Sequence, residues 1–121
     1  MTYPIATVIY GCPYPQGHPE GERFEALMDT HFGEDALFAL GDEEHSLWEN
    51  DYSASPDMDP AGFFGEQLHC ANGYWDLQPS WFQEPVPASV TARVDAAWAE
   101  LPEPIRDALG HPRLAIAWSD S

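Results

Sequence analysis

The sequence predicts a single α+β domain with a mixed or antiparallel sheet of about four strands, covered by two main helices. Three observations support this fold class: an apolar β-branched run near the start, two segments with helical spacing of apolar residues, and an alternating run near the end. A length of 121 residues suits one domain with its own core. Hydrophobic residues make up 44% of the chain and aromatic residues 13%, a composition that excludes charge-driven disorder of the whole chain.

The first predicted elements are a strand and a helix. Residues 4–10 (PIATVIY) are apolar on both faces, which is typical of a central strand. Apolar residues then recur at helical spacing over residues 18–32, and Gly33 is the expected stop. Residues 35–40 (DALFAL) fit either a short helix capped by Asp35 or a strand, because so short a run is ambiguous.

The middle of the chain is predicted to be irregular and then to turn back on itself. Residues 41–62 are rich in Asp, Glu, Ser and Pro and are expected to form a long acidic loop with aromatic anchors. Asn72-Gly73 is the favoured pair for a two-residue type I′ turn. It predicts a hairpin in which Cys70 lies opposite Trp75, and His69 lies opposite Asp76.

The last third supplies a connector, a second helix and a closing strand. Residues 79–87 (PSWFQEPVP) are expected to form a rigid connector whose Trp81 and Phe82 cover the sheet. Ser89 is expected to cap the helix that follows, which keeps its apolar residues on one face. Residues 113–118 (RLAIAW) alternate and are predicted to close the chain as a strand.

Charge is the most informative functional feature. The chain contains no lysine, and 21 Asp and Glu residues face four arginines, giving a formal net charge of -17. Fourteen of the acids lie between Glu20 and Glu66, where Arg23 is the only arginine. Because such a chain repels nucleic acid and anionic membranes, the predicted partner is a basic or nucleic-acid-binding protein, with no direct binding of nucleic acid and no membrane partner.

The cellular compartment is predicted from the absence of membrane-span and signal-peptide patterns. There is no run of about 18 apolar residues, and the first residues lack the basic start and apolar stretch of a signal peptide. A cytoplasmic protein is therefore expected. Cys12 and Cys70 are the two cysteines, and nothing in their spacing requires a disulfide.

No metal or cofactor is predicted. Asp57 and Asp59 begin a pattern like a calcium loop, but position five is Ala61 and position twelve is Leu68, where oxygen ligands are needed. The zinc-type side chains do not form a ligand pair at the usual spacing; these residues are Cys12, His18, His69 and Cys70.

Catalysis has one candidate, Cys12, which stands at the end of the first strand. A general negative field raises thiol pKa values and so opposes activation of a nucleophile. The sequence also lacks the usual serine-hydrolase, phosphate-loop and zinc-protease motifs. No catalytic residue is therefore assigned, and a small enzyme using Cys12 is the second alternative.

The first functional hypothesis is mimicry of nucleic acid. Acidic side chains stand in for phosphates and occupy the nucleic-acid-binding site of another protein. Seventeen net charges spread evenly over a protein of this mass give about one per 380 Å², several-fold too dilute to imitate a duplex, so mimicry requires clustering. The predicted partner-binding residues are Glu20, Glu22, Glu25, Asp29, Asp42, Glu43, Glu44, Trp48, Glu49, Asp51 and Tyr52.

The alternative hypothesis is environmental. Proteins of saline cytoplasm, for example in a halophile, replace surface lysine with Asp and Glu for solubility. The absence of lysine fits this hypothesis as well. In that case the charge indicates where the protein works and leaves its task open.

In size, acidity and lack of catalytic motifs the chain resembles the small acidic proteins that bacteriophages use against host restriction, CRISPR or transcription machinery. The resemblance is one of class and covers composition and length, without an aligned motif. It implies a non-enzymatic inhibitor that binds a host nucleic-acid-binding protein in the host cytoplasm. Its high Pro and Trp content departs from the pattern and implies a more loop-anchored surface.

Overall fold

The computed structural model of the chain describes residues 5–15, 19–43, 46–50, 62–72 and 74–119. These ranges form four strands and five α-helices, an α+β arrangement as predicted. In chain order the elements are β1 (Ile5–Pro13), α1 (Glu20–Phe32), α2 (Ala36–Gly41), β2 (Trp48–Asn50), β3 (Gly62–Ala71), a 3₁₀ turn (Tyr74–Asp76), α3 (Ser80–Gln83), α4 (Ala88–Ala99), α5 (Glu103–Leu109) and β4 (Arg113–Ser119).

The sheet has the order β2-β3-β1-β4, and every neighbouring pair is antiparallel. The apolar first strand is central, as predicted, and lies between β3 and β4. Its residues Ala6, Val8 and Ile9 are fully buried. A central position suits a strand that is apolar on both faces, because its side chains then lie between those of two neighbouring strands.

Two irregularities shape the pairing of β1 with β3. Val8 pairs with His69 and Ile9 with Gln67, which leaves Leu68 as an extra residue in β3 and forms a bulge. Further along, Gly11 and Gly65 face each other. A Cβ at either glycine would overlap the main chain of the opposite strand, so close approach of the two strands requires glycine at both positions.

The main core lies on one face of the sheet, beneath α1, α2, α4 and α5. It joins sheet residues such as Cys12 and Phe64 to Phe24 of α1 and Val94 of α4. A smaller cluster at the other end of the sheet joins Ala6, Ala71 and Trp118, with Leu77, Trp81 and Ile116 packed against it. The sheet thus carries helices along its length, and α1 and α2 occupy one end.

The predicted hairpin at Asn72-Gly73 is wrong. Residues Tyr74–Asp76 form a 3₁₀ turn, and β3 takes its hydrogen-bonding partners from β1 and β2 instead. His69 therefore lies beside Val8 in the sheet and stacks on Trp81, with ring centroids 4.6 Å apart and an interplanar angle of 7°. Long-range pairing with an apolar central strand buries more surface than a local hairpin would, and it overrides the turn signal.

The predicted cap of the fourth helix is wrong, whereas Asp35 occupies the predicted N-cap position of α2. The fourth helix begins at Ala88 after Pro87, with no side-chain cap, so Ser89 lies inside its first turn. Asp35 does precede α2, which confirms the helical alternative for that segment, but its side chain makes no cap bond.

Two segments predicted to be irregular, residues 79–87 and 41–62, differ in part from the prediction. Trp81 covers the sheet as expected, whereas Phe82 remains exposed. The predicted loop over residues 41–62 contains the short edge strand β2, and its residues 44–45 and 51–61 lie outside the described ranges.

Candidate acidic interface

The segment from α1 to β2 forms one packed side of the molecule, here called the acidic block. In it, α2 packs against both α1 and β2. The side-chain Nδ2 of Asn50 in β2 donates a hydrogen bond to the main-chain oxygen of Leu37 in α2, at 2.8 Å. Phe24 and Met28 of α1 are buried in the core beside Ala36 of α2. These contacts join the three elements into one packed segment. Within β2, Trp48 faces the core and the neighbouring Glu49, which pairs with Phe63, lies on the opposite face of the sheet.

All nine acidic side chains that the structure describes between residues 20 and 50 are exposed. Arg23 is the only arginine in that segment, and the chain has no lysine. The exposed acids are Glu20, Glu22, Glu25, Asp29, Glu34, Asp35, Asp42, Glu43 and Glu49. This surface can attract cations and basic proteins through its summed field.

Two acids outside the block make contacts within the fold. Glu66 of β3 forms an ion pair with Arg93 of α4. Asp95 of α4 accepts a hydrogen bond of 2.7 Å from the phenol of Tyr10. Burial and this carboxylate together raise the pKa of Tyr10 to about 12. Charge on this side of the molecule is therefore partly used within the fold.

The structure locates most of the predicted partner-binding residues. Seven of them are exposed side chains of the acidic block: Glu20, Glu22, Glu25, Asp29, Asp42, Glu43 and Glu49. Glu44, Asp51 and Tyr52 lie outside the described residues. The carboxylate of Asp29 also accepts a hydrogen bond from the main-chain N–H of Ala36, at 3.2 Å. Asp29 therefore caps α2 as well as adding charge.

Trp48 is placed in the core and not on the surface. Only 7% of its area is exposed. Its ring centroid lies 4.7 Å from that of Phe64 and 5.9 Å from that of Tyr14. The interpretation of Trp48 as an exposed anchor is corrected by this burial, because a side chain that fills the core cannot also contact a partner without opening the fold.

The exposed aromatic residues of the block are Phe32 and Phe38, which sequence reasoning missed. Phe32 is 43% exposed and Phe38 is 74% exposed. The signal was present in α2: a helix that buries Ala36 and partly buries Leu37 and Leu40 turns the residue at position 38 outward. Because residues 35–40 fitted either a helix or a strand, the exposed position of Phe38 was not predicted.

Cys12 lacks the features of a nucleophile. Its side chain is fully buried, and its thiol donates to the main-chain oxygen of Gly110 at 3.3 Å. Burial raises the pKa of Cys12 to about 11, against a smaller lowering effect from Arg113. The thiolate that catalysis needs is therefore disfavoured near neutral pH. Cys70 is exposed, and both cysteines are free thiols.

Two hollows of the described surface are lined in part by ionisable side chains. One of about 420 Å³ lies between the β2–β3 edge and α4, where Glu49 and the Glu66–Arg93 pair form part of its wall. Another of about 290 Å³ is lined by Trp98, Glu103, Arg106, Asp107, Gly110 and His111. Within the described ranges, no three His, Cys, Asp or Glu side chains are placed to hold a metal ion.

No protein-family model, curated protein or solved structure matches this chain. Among the helices in the described part of the chain, none combines the length and apolar character needed to cross a membrane.

Proposed function

We propose that the protein is a non-enzymatic acidic binding protein that inhibits a nucleic-acid-binding protein by occupying its nucleic-acid site. The observation that carries this proposal is the packing of α1, α2 and β2 into one segment, whose described residues expose nine acids and include one arginine. A basic groove that binds phosphates by counterion release gains from the same exchange when it binds a dense set of carboxylates.

The uneven distribution of charge supports this proposal over environmental acidity. Adaptation to a saline cytoplasm favours acids over the whole surface. Here the helical half after Glu66 carries seven of the 21 acids and three of the four arginines. Charge that is concentrated in one segment of the chain, at a cost in like-charge repulsion along α1, favours a specific use.

The burial of Cys12 weakens the enzyme alternative, because its thiol is inaccessible and its pKa is raised. Such a protein is expected to act in the host cytoplasm, as a bacteriophage-encoded inhibitor of host restriction, CRISPR or transcription machinery. The proposed partner is basic and binds nucleic acid, while this chain binds neither nucleic acid nor membrane itself.

Affinity capture with charge-reversed variants tests the proposal. The test variant replaces Glu20, Glu25 and Glu43 of the acidic block with Lys, and the control variant replaces Glu84, Glu100 and Asp107 in the same way. All six side chains are exposed, so both variants are expected to fold, and both change the net charge equally. Each immobilised protein is exposed to nuclease-treated bacterial lysate and eluted with a salt gradient.

The proposal expects the parent and the control to retain the same nucleic-acid-binding protein, released in a narrow salt step and displaced by added DNA or RNA. The block variant should lose it. Equal retention of many basic proteins at low salt by both variants would contradict the proposal and favour environmental acidity. Circular dichroism of each variant confirms that loss of binding is not loss of folding.

A further inference from the structure

Strand β3 is longer than the strand that covers its outer edge. It runs over Gly62–Ala71, but β2 pairs only with residues 62–64. The last main-chain hydrogen bond at this edge runs from the N–H of Gly65 to the oxygen of Leu47, at 2.9 Å. Beyond it, residues 66–71 keep β1 as a neighbour on one side and have no described strand on the other. This stretch is here called the open edge.

Burial and main-chain direction both change the character of β3 at this point. Residues 62–65 are all buried, whereas residues 66–70 are half-buried or exposed. Because main-chain groups alternate in direction along a strand, the N–H of Gln67 points to the same side as that of Gly65, away from β1. No described strand lies on that side to accept it. The open edge therefore presents main-chain hydrogen-bonding groups to an added strand.

A hollow of about 420 Å³ lies where β2 stops covering β3. Because side chains alternate across a strand, Gly65 and Gln67 belong to one face of the sheet and Glu66 belongs to the other. All three line this hollow, so it wraps around the edge of the strand and does not lie over one face alone. Ser46 and Leu47, which directly precede β2, line it as well. A strand added here would continue the line of β2.

A second hollow, of about 190 Å³, follows along the same strand. It is lined by Leu68 and His69 of β3, by Trp81 and by residues 84–87. The ring of His69 stacks on that of Trp81, which gives this hollow an ordered wall. The two hollows together line consecutive residues of β3 from Gly65 to His69. Pockets beside an open edge receive alternate side chains of an added strand and make its binding specific.

The charge around the two hollows determines which kind of segment fits. The ionised side chains that line them are Glu49, Glu66, Glu84 and Arg93. Glu66 forms an ion pair with Arg93. Three carboxylates less one guanidinium leave two net negative charges, and the exposed Glu49 and Glu84 carry them at the first and the second hollow. Basic side chains complement these charges, whereas acidic ones are repelled.

We infer that the open edge of β3 binds an extended segment of a partner protein by strand addition, and that basic side chains of the segment meet Glu49 and Glu84. The main chain of the segment makes the kind of hydrogen bonds that β2 makes with residues 62–64. The bulge at Leu68 lies between the two hollows and limits regular pairing to a short stretch. Because the site does not use the acids of α1 and α2, it stands or falls separately from the proposed function.

Fluorescence anisotropy with synthetic peptides tests the inference. The probe is a fluorescein-labelled hexapeptide of alternating valine and arginine. One comparison peptide has glutamate in place of each arginine. The other has a methyl group on every main-chain nitrogen, which removes the hydrogen-bond donors and keeps the charge.

Two variants of the protein separate the main chain of Gln67 from its side chain. Gln67→Pro removes the N–H at the open edge, and proline is tolerated on an edge strand where the N–H would face outward. Gln67→Ala is the matched control, because it loses the same side-chain hydrogen bond to Cys70 and keeps the N–H. Thermal unfolding followed by circular dichroism compares the folding of both variants with that of the parent.

The inference expects the parent and Gln67→Ala to bind the arginine peptide equally. Gln67→Pro should bind it about 10-fold more weakly, as for the loss of one main-chain hydrogen bond. The glutamate and methylated peptides should lose at least as much affinity for the parent. Equal binding of the methylated and unmethylated arginine peptides would overturn the inference, since charge alone would then hold them, and so would absence of binding. If Gln67→Pro does not fold, the comparison of these two peptides still decides.

Sedimentation velocity without peptide tests a second copy of the chain as the occupant of the open edge. The inference expects the parent and both variants to sediment as monomers. A parent dimer that Gln67→Pro dissociates and Gln67→Ala preserves would assign the open edge to self-association and overturn the inference.

Discussion

The carboxylate of Asp29 in α1 accepts a hydrogen bond from the main-chain N–H of Ala36, the first residue of α2, at 3.2 Å. The N–H groups of a first helical turn have no partner within their own helix. Asp35, which occupies the usual capping position, has a left-handed backbone with φ of 54° and makes no side-chain cap bond. Asp29 therefore links α1 to α2 and sets the position of Phe38 on the acidic block.

We expect Asp29→Ala to lower the free energy of unfolding by about 1 kcal/mol, because loss of a capping oxygen has a cost of that order. Asp29→Asn removes the charge but keeps an oxygen acceptor, so it should retain most of the stability. Denaturant titration followed by tryptophan fluorescence measures both. If the alanine variant proved as stable as the parent, the bond would not be what holds α2 in place.

Trp48 is expected to act on stability and not directly on binding. Its ring packs against Phe64 and Tyr14, so Trp48→Ala should cost about 3–5 kcal/mol through cavity formation. Trp48→Phe keeps most of the volume and should cost less. Thermal unfolding by circular dichroism measures the two losses. A Trp48→Ala protein with parental stability that had lost partner binding would show that the buried position is wrong.

The two thiols are expected to differ sharply in reactivity. Cys70 is exposed, while Cys12 is fully buried and has a raised pKa. An aromatic disulfide reagent at neutral pH should therefore label Cys70 quickly and Cys12 only after unfolding. Cys70→Ser is the control and should abolish the fast phase. A fast phase that survived in Cys70→Ser would place Cys12 at the surface and revive the enzyme alternative.

Stability should decline at alkaline pH. Burial raises the pKa of Cys12 from 9.0 to about 11 and that of Tyr10 from 10.0 to about 12, so the folded state holds protons that the unfolded state releases. Their stabilising effect is complete below the unfolded pKa values and is lost as pH rises toward the folded ones. Denaturation midpoints should start to fall near pH 9.

The variant Cys12→Ala isolates the thiol in that alkaline decline. It should lower stability at neutral pH by leaving a small cavity, yet flatten the fall between about pH 9 and about pH 11. The parent and the variant are compared by urea denaturation at each pH. Parallel pH curves for the two proteins would show that Cys12 titrates normally in the fold.

The elements that the sequence predicted correctly are those with strong periodicity or a continuous apolar run. The segment PIATVIY predicted the central strand because a strand apolar on both faces must be covered on both. The helix ending at Phe32 followed from apolar spacing and from Gly33, whose φ of 105° suits a residue without a side chain. The last strand followed from alternation over residues 113–118.

Long-range partners were the part that local signals could not supply. Asn72-Gly73 favours a tight turn, but β3 pairs with β1 and not with the residues that follow the turn. The bulge at Leu68 depends on the register between two strands far apart in sequence. At the candidate site, the exposed acids followed from composition, whereas the burial of Trp48 and the exposure of Phe38 depend on which helix face meets the core.

The most direct test of the central claim is whether the partner can bind this protein and nucleic acid at the same time. The captured partner is mixed with labelled nucleic acid and increasing amounts of this protein, and the species are resolved by analytical ultracentrifugation at two absorbance wavelengths. If the acidic block occupies the nucleic-acid site, each partner molecule should carry either the protein or the nucleic acid, and the apparent inhibition constant should rise in proportion to nucleic-acid concentration. A stable ternary complex containing all three would contradict the account.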